Sequence, residues 1–200
     1  IHRGRRDSSA AAYLRPALQR PNLTLLTGAL VTRITLEGAR ATGLEVQTAE
    51  GPRALRAARE TLLCAGAFQS PQLLMLSGIG DPEELAAHDI AVRHALPGVG
   101  RNLHDHPAAP ILRETRNTLS YGLSLPTLPR SAWNLAKYLF ARRGPLASNV
   151  FESTAFIRSH PNADRPDLQI VFQPARRNPN GFPLPLGHGY AISAVNLYPR

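Results

Sequence analysis

A chain of 200 residues with 43% hydrophobic and 18% charged residues belongs among folded proteins and away from disordered ones. Its formal net charge of +9 raises the question of a nucleic-acid partner, yet of its 23 basic residues only Lys137 is lysine, the arginines are dispersed, and no helix-turn-helix, zinc-finger or RNP pattern occurs. No apolar run approaches the roughly 18–20 residues that a bilayer-crossing helix needs, and the single cysteine, Cys64, excludes an internal disulfide.

The chain begins at Ile1 and its only methionine is Met75, which reads as a piece of a longer protein. SSAAAYLRPALQR (8–20) opens with a serine able to cap and continues with helix formers, so a helix is expected from about Ser9 until Pro21-Asn22 stops it. LTLLTGALVTRITLEG, rich in β-branched and apolar residues, predicts a strand that turns at Glu37-Gly38 into a second strand in ARATGLEVQTAEG. Ala54 to Arg59 extends this excursion. The unbroken apolar run from Glu60 to Cys64 then suits a strand covered on both faces, with Cys64 as a small buried hydrophobe.

GAFQSPQLLMLSGIG (66–80) packs a turn, a helix and a second turn into one short block. Gly66 and Ala67 end the strand with almost no side chain, Ser70 is placed to cap a helix, Pro71 suits its first turn, and Gly78 closes it. Asp81 repeats the capping device, with Glu84 three residues on to complete a capping box, and a short helix follows to about His88. A glycine-alanine turn from a strand into a helix is where a doubly wound fold brings a nucleotide close to its backbone. The same turn also serves simply to pack a helix on a strand, and the GxGxxG fingerprint that would decide between the two is absent.

LPGVGRNLHDHP (96–107) is an irregular, glycine-punctuated loop. His104-Asp105-His106 offers at most two or three ligands with nothing nearby to complete a set, so no metal is expected there. His2, His88, His94, His160 and His188 show no partner pattern and read as surface groups. Prolines then recur at 107, 110, 126, 129 and 145, which places a domain change near Pro107. SAWNLAKYLFARR (131–143) has apolar residues at helical spacing with Gly144 as terminator. Strands are expected at 151–158, 167–173 and 190–198, joined by Pro/Gly loops in an antiparallel arrangement.

The block 66–80 resembles the second signature of the glucose–methanol–choline (GMC) oxidoreductases, FAD-dependent enzymes that oxidise alcohols. RPNLTLLTGALVTRI from Arg20, LPGVGRNLHDHP from Leu96, GPLASNVFESTAFIRS from Gly144 and PDLQIVFQPA from Pro166 resemble successive blocks of that family in the same order, most of all in its choline dehydrogenase and bacterial alcohol dehydrogenase branch. The resemblance implies an α/β, Rossmann-like FAD-binding part over residues 1–107 followed by an α+β substrate domain with an antiparallel sheet over 108–200, both incomplete.

The same resemblance implies that Val31 presents its backbone to the adenine end of FAD and that Ala65 and Gly66 lie along the dinucleotide. It implies that Glu152 is a substrate-binding residue, in a choline-type enzyme facing the quaternary ammonium, although members acting on uncharged alcohols also carry glutamate here; a structural carboxylate between strands accounts for Glu152 equally well. Phe151, Phe156 and Phe172 line the pocket or fill core. Position 104 is more usually glutamine in the family, where the DH pair serves structural hydrogen bonding near the flavin. Nothing here resembles the GxGxxG turn or the family's late histidine base, so no catalytic residue is assigned. The expected parent is a flavoenzyme acting on CH–OH groups, with this portion inactive and poor at holding FAD by itself. A catalytically dead GMC-like binding module and a basic nucleic-acid binder remain the alternatives.

Overall fold

Val31, Thr32, Ile34 and Thr35 suit a pleated strand, and the computed structural model, which describes residues 1–176 and 186–199, places them in β1 (Leu30–Glu37). The chain turns back at once into β2 (Arg40–Thr48), pairing antiparallel from Glu37↔Arg40 to Leu30↔Gln47. It turns again into β3 (Gly51–Arg56), completing a three-stranded meander ordered β1-β2-β3. The strand expected from Leu23 thus begins only at Leu30; Leu23, Leu25 and Leu26 lie exposed before it. Ile34 and Val46 point into the core and are almost wholly buried.

The elements fall into two units, Arg20–His104 and Ile1–Gln19 with Asp105–Arg200. In the first, α2 (Gly66–Leu76) packs on β1, a short parallel pair joins β4 (Ile79–Gly80) to β5 (His94–Ala95), and α3 (Pro82–Ala87) lies between them in the chain. Leu73 of α2 and Leu85 of α3 are buried, Leu85 completely.

Three expectations for this unit need correction. Helix α2 starts at Gly66, not after Ser70, so Pro71 lies inside it. There it removes only the N–H that would reach the Ala67 carbonyl, a loss the early helix tolerates. Residues 60–64 form no strand; Leu62 and Cys64 are exposed and Thr61 Oγ1 is buried without a partner among the described residues. A strand exists through its neighbours' ladder bonds, and none of the described strands pairs with this stretch. Asp81 caps α3 as expected, accepting from Glu83 N at 3.0 Å, but Glu84 turns away to Arg101 and no capping box forms.

Ser77 ties helix to sheet: its buried hydroxyl accepts from Ile34 N of β1 at 2.8 Å and donates to the Leu73 carbonyl at 2.6 Å. Ser77→Ala strands the Ile34 amide in the interior and is expected to destabilise the full-length protein by about 1–3 kcal/mol. Urea denaturation would show it as a lower midpoint at unchanged slope. An unshifted midpoint would mean that Ile34 N finds another acceptor.

The second unit holds α1 (Arg15–Ala17), entered through a wide π-type turn Ala10–Leu14 that Ser8 caps through Ala11 N at 3.3 Å. Its four-stranded antiparallel sheet is ordered β6-β9-β8-β7, from β6 (Ala108–Thr115), β7 (Ser153–Ile157), β8 (Leu168–Gln173) and β9 (His188–Asn196). The three strands read from sequence correspond to β7, β8 and β9, whereas β6 has no counterpart among the expectations. The loop expected before Tyr190 falls partly outside the described residues. Burial follows position: β9, central in the sheet, is half-buried to buried, and β7, at an edge, is exposed throughout. Between β6 and β7 runs α4 (Leu128–Ala141), begun earlier than expected because Pro129 is accepted in its first turn and ended by Arg142 in the left-handed conformation at φ 54°. No helix among the described residues is long and apolar enough to cross a membrane.

Candidate functional site

The small residues before α2 do what their size permits. Ala65 is the N-cap and contributes no side-chain hydrogen bond, and Gly66 enters the helix at φ +87°, a conformation that strains any residue with a Cβ. A Cβ built on Gly66 meets nothing within 4 Å, so the space in front of the helix is open. The first four N–H groups of a helix lack intrahelical acceptors. With no capping side chain over them, the N-terminus of α2 offers backbone donors and the positive end of the helix dipole to an anionic group. Val31 lies on β1, half-buried and paired with Val46, on the strand against which α2 packs. Val31, Ala65 and Gly66 therefore share one unit and one strand–helix pair.

Beside Ala67 opens a groove of about 960 Å³, mostly apolar, between Ala67, Pro71 and Met75 of α2 and the 100–104 loop. Arg101 fastens that loop to α3. Its guanidinium bonds Asp81 at 2.9 Å and Glu84 at 3.2 Å, and its Nε donates to the Pro97 carbonyl at 3.1 Å. The Arg101 hydrogen bond, helped by the Glu83 amide, holds the Asp81 carboxyl below its ordinary value. This clamp is the residue-level reason that the irregular 96–104 loop keeps one shape, and the sequence reading missed it. Asp105 folds back on its own loop, accepting from His106 N at 2.7 Å, and no group of three metal-binding side chains occurs among the described residues.

Glu152 belongs to the other unit, just before β7. Its Oε1 accepts from the Tyr121 hydroxyl at 2.7 Å and from the Ser148 hydroxyl at 2.9 Å, and the described hydrogen bonds to this carboxylate all fall on that one oxygen. The Tyr121 bond first and the Ser148 bond second hold the Glu152 carboxyl below its ordinary value, while the same bond to Glu152 raises the Tyr121 phenol. The result is an exposed, ionised carboxylate with one oxygen held and no described hydrogen bond to the other. Ser148, four residues before Glu152, was within reach of local spacing arguments; Tyr121, thirty-one residues away, was not.

His188, read from sequence as a surface group, is instead buried at the start of β9, with Ser120 and Ser124 against its two ring nitrogens. Register places it there: β9 pairs Thr115 with His188, and the loop that follows β6 folds over it.

Comparison with known proteins fits this geometry. A model of the GMC oxidoreductase family matches residues 1–108. A GMC-type oxidoreductase of Mycobacterium tuberculosis (strain ATCC 25618 / H37Rv) is 43% identical over 198 residues, covering 99% of this chain and 36% of the relative. The oxygen-dependent choline dehydrogenase of Staphylococcus haemolyticus (strain JCSC1435) is 41% identical over 198 residues, covering 99% of this chain and 34% of its own. Alcohol dehydrogenase [acceptor] of Pseudomonas putida is 37% identical over 199 residues, with 98% and 36% covered.

Among solved structures, a formate oxidase of Aspergillus oryzae RIB40, in a variant that bears on its FAD modification, superposes with a TM-score of 0.86 at 25% identity over 100% of this chain and 39% of that one. Pyridoxine 4-oxidase from Mesorbium loti gives 0.74 at 31% identity, with 100% and 35% covered. The chain spans roughly a third of the length of the curated relatives it matches. A partial α/β structure with antiparallel sheets, matched by the family model over more than half its length, belongs to the GMC oxidoreductase family.

Proposed function

We propose that these residues are the middle of an FAD-dependent oxidoreductase that oxidises the CH–OH group of an alcohol. Residues 1–107 are read as part of a Rossmann-like FAD-binding domain and 108–200 as part of the substrate domain with its antiparallel sheet. One observation carries the reading: the uncapped N-terminus of α2, opening at Gly66 into empty space, fits the polar, anionic stretch of a dinucleotide. Val31, Ala65 and Gly66 are assigned to hold that cofactor. The 41% and 37% identities to proteins named for choline and alcohol oxidation support the substrate class.

Bound FAD supplies the hydride acceptor for the alcohol carbon. This chain's own share is positioning. The backbone around Gly66 orients the cofactor, the Arg101 clamp holds the neighbouring loop, and Glu152 anchors the substrate. The base that takes the hydroxyl proton is assigned to a histidine outside these residues, because none of the seven here carries the family's base pattern.

Purified full-length protein is expected to carry FAD and to lose its oxidised-flavin absorbance when an alcohol is added without oxygen. Gly66→Val is expected to cut flavin content several-fold, because a β-branched side chain at φ +87° both strains the turn and fills the approach. The isolated 200 residues are expected to hold little flavin. Full flavin content in the Gly66 variant, or a flavin that no alcohol reduces, would sink the assignment.

A further inference from the structure

Tyr121 and Ser148 hold the same oxygen of Glu152, and the placement of Tyr121 bears on how that carboxylate is turned. Its backbone N donates to the Pro174 carbonyl at 2.6 Å, and the residues around it are tied to a single imidazole. His188 is only 7% exposed, with Nδ1 3.2 Å from Ser120 Oγ and Nε2 2.8 Å from Ser124 Oγ. Ser120 immediately precedes Tyr121 and Ser124 lies three residues beyond it.

The proton order of this cluster follows from its remaining bonds when the ring is neutral. Thr127 Oγ1 donates to the Ser124 carbonyl at 3.0 Å, so it must accept from the Ser124 hydroxyl at 3.2 Å. Ser124 Oγ is then left to accept from Nε2–H. Ser120 Oγ accepts from Gly189 N at 3.2 Å and donates its own proton to Nδ1. Every proton has one acceptor, and both ring nitrogens are used on the segment that carries Tyr121. A histidine that merely filled core would not need both of its polar atoms aimed at the two ends of one short segment.

We propose that His188 is a positioning residue for substrate binding: it fixes residues 120–124 from both ends and thereby sets the Tyr121 hydroxyl on Glu152, leaving the other carboxylate oxygen directed at the substrate. The inference rests on the reading of Glu152 as the substrate anchor, and its test separates the two.

In the full-length enzyme, KM and kcat for the alcohol are measured for Glu152→Gln, Tyr121→Phe, His188→Ala, Ser124→Ala and the His188→Ala/Tyr121→Phe double variant. Tyr121→Phe and His188→Ala are each expected to raise KM about three- to tenfold with kcat changed less than about twofold, and the double variant to do no worse than the larger single, within about twofold. His188→Gln, whose amide replaces only the Nε2 contact, is expected to fall between His188→Ala and the parent. If His188→Ala does not fold, Ser124→Ala, which keeps the imidazole and removes its Nε2 contact together with the Ser124–Thr127 hydroxyl pair, replaces it in the cycle.

A wild-type KM in the His188 and Ser124 variants beside a raised KM in Glu152→Gln would overturn the positioning role and leave the anchor standing. So would a double variant whose KM rises by the product of the singles. An unchanged KM in Glu152→Gln would remove the anchor and, with it, this inference.

Discussion

Replacing the buried Gly78 by valine is expected to cost the full-length protein roughly 3–5 kcal/mol of stability. Two effects add. Gly78 sits at φ +84°, where a side chain strains the backbone by about 1–2 kcal/mol, and a β-branched one by more. Its Cβ would also lie 2.5 Å from the Ala91 carbonyl oxygen and 2.7 Å from Arg93 Cγ, an overlap that forces a shift costing about 1–3 kcal/mol.

That shift does not stay local. Gly78 N donates to Met75 O at 2.9 Å, and its carbonyl accepts from Arg93 N at 2.8 Å and His94 N at 3.1 Å. Pushing Ala91 away therefore loosens the end of α2 and the β4–β5 pair together, and flavin content should fall because α2 opens on the proposed cofactor at its other end. Thermal unfolding of Gly78→Val, Gly78→Ala and Gly98→Ala checks the argument. Gly98 has no positive φ and nothing within 4 Å of a built Cβ, so it controls for loss of glycine alone. The expected order of melting temperatures is Gly98→Ala near the parent, Gly78→Ala lower, Gly78→Val lowest; a Gly78→Val melt within about a degree of Gly98→Ala would refute the clash.

Gly78 is also where the sequence was most legible. A glycine after an apolar helical block signals a terminator, and the Asp81 cap, α4 and the strands β7 to β9 were equally open to local reasoning because each depends on residues within a few positions. What local reasoning missed depends on distant partners. Residues 60–64 look like a buried strand, yet none of the described strands lies beside them. Ser70-Pro71 imitates a helix start, but the chain already turns helical at Gly66 and absorbs the proline. Strand β6 was hidden by Pro110, which an edge strand accepts because one side of its ladder is unpaired; Pro110 stands opposite Ser193 with β9 as its only described neighbour.

The site divides in the same way. Gly66 was readable as a backbone requirement, and Glu152 entered through resemblance to a family. The features that give Glu152 its chemistry, Tyr121 above it and His188 behind Tyr121, come from a register between β6 and β9 that no window of sequence contains.

Glu152→Gln is expected to raise KM for the alcohol about tenfold or more in the full-length enzyme while changing kcat much less, because the substitution keeps shape and removes charge at the group proposed to hold the substrate rather than the reacting atoms. The pH profile sharpens the test. Tyr121, and after it Ser148, hold the Glu152 carboxyl below its ordinary value of 4.5. A depressed carboxyl stays ionised through 4.5 and loses its charge only as pH falls through the lower folded value. Its contribution to substrate binding, and to the ordering of Tyr121, should thus be fully present well above pH 4.5 and be lost as pH falls through the lower folded value.

Tyr121→Phe removes the larger of the two hydrogen bonds, so the acid limb of the 1/KM profile should move upward in pH, toward the ordinary carboxyl value. Ser148→Ala should move it the same way by less, and Glu152→Gln should abolish the limb altogether. The order of these three shifts is the discriminating result. A structural carboxylate between strands would respond to the same substitutions through melting temperature, with KM flat across the series; a substrate anchor must carry its titration into KM itself.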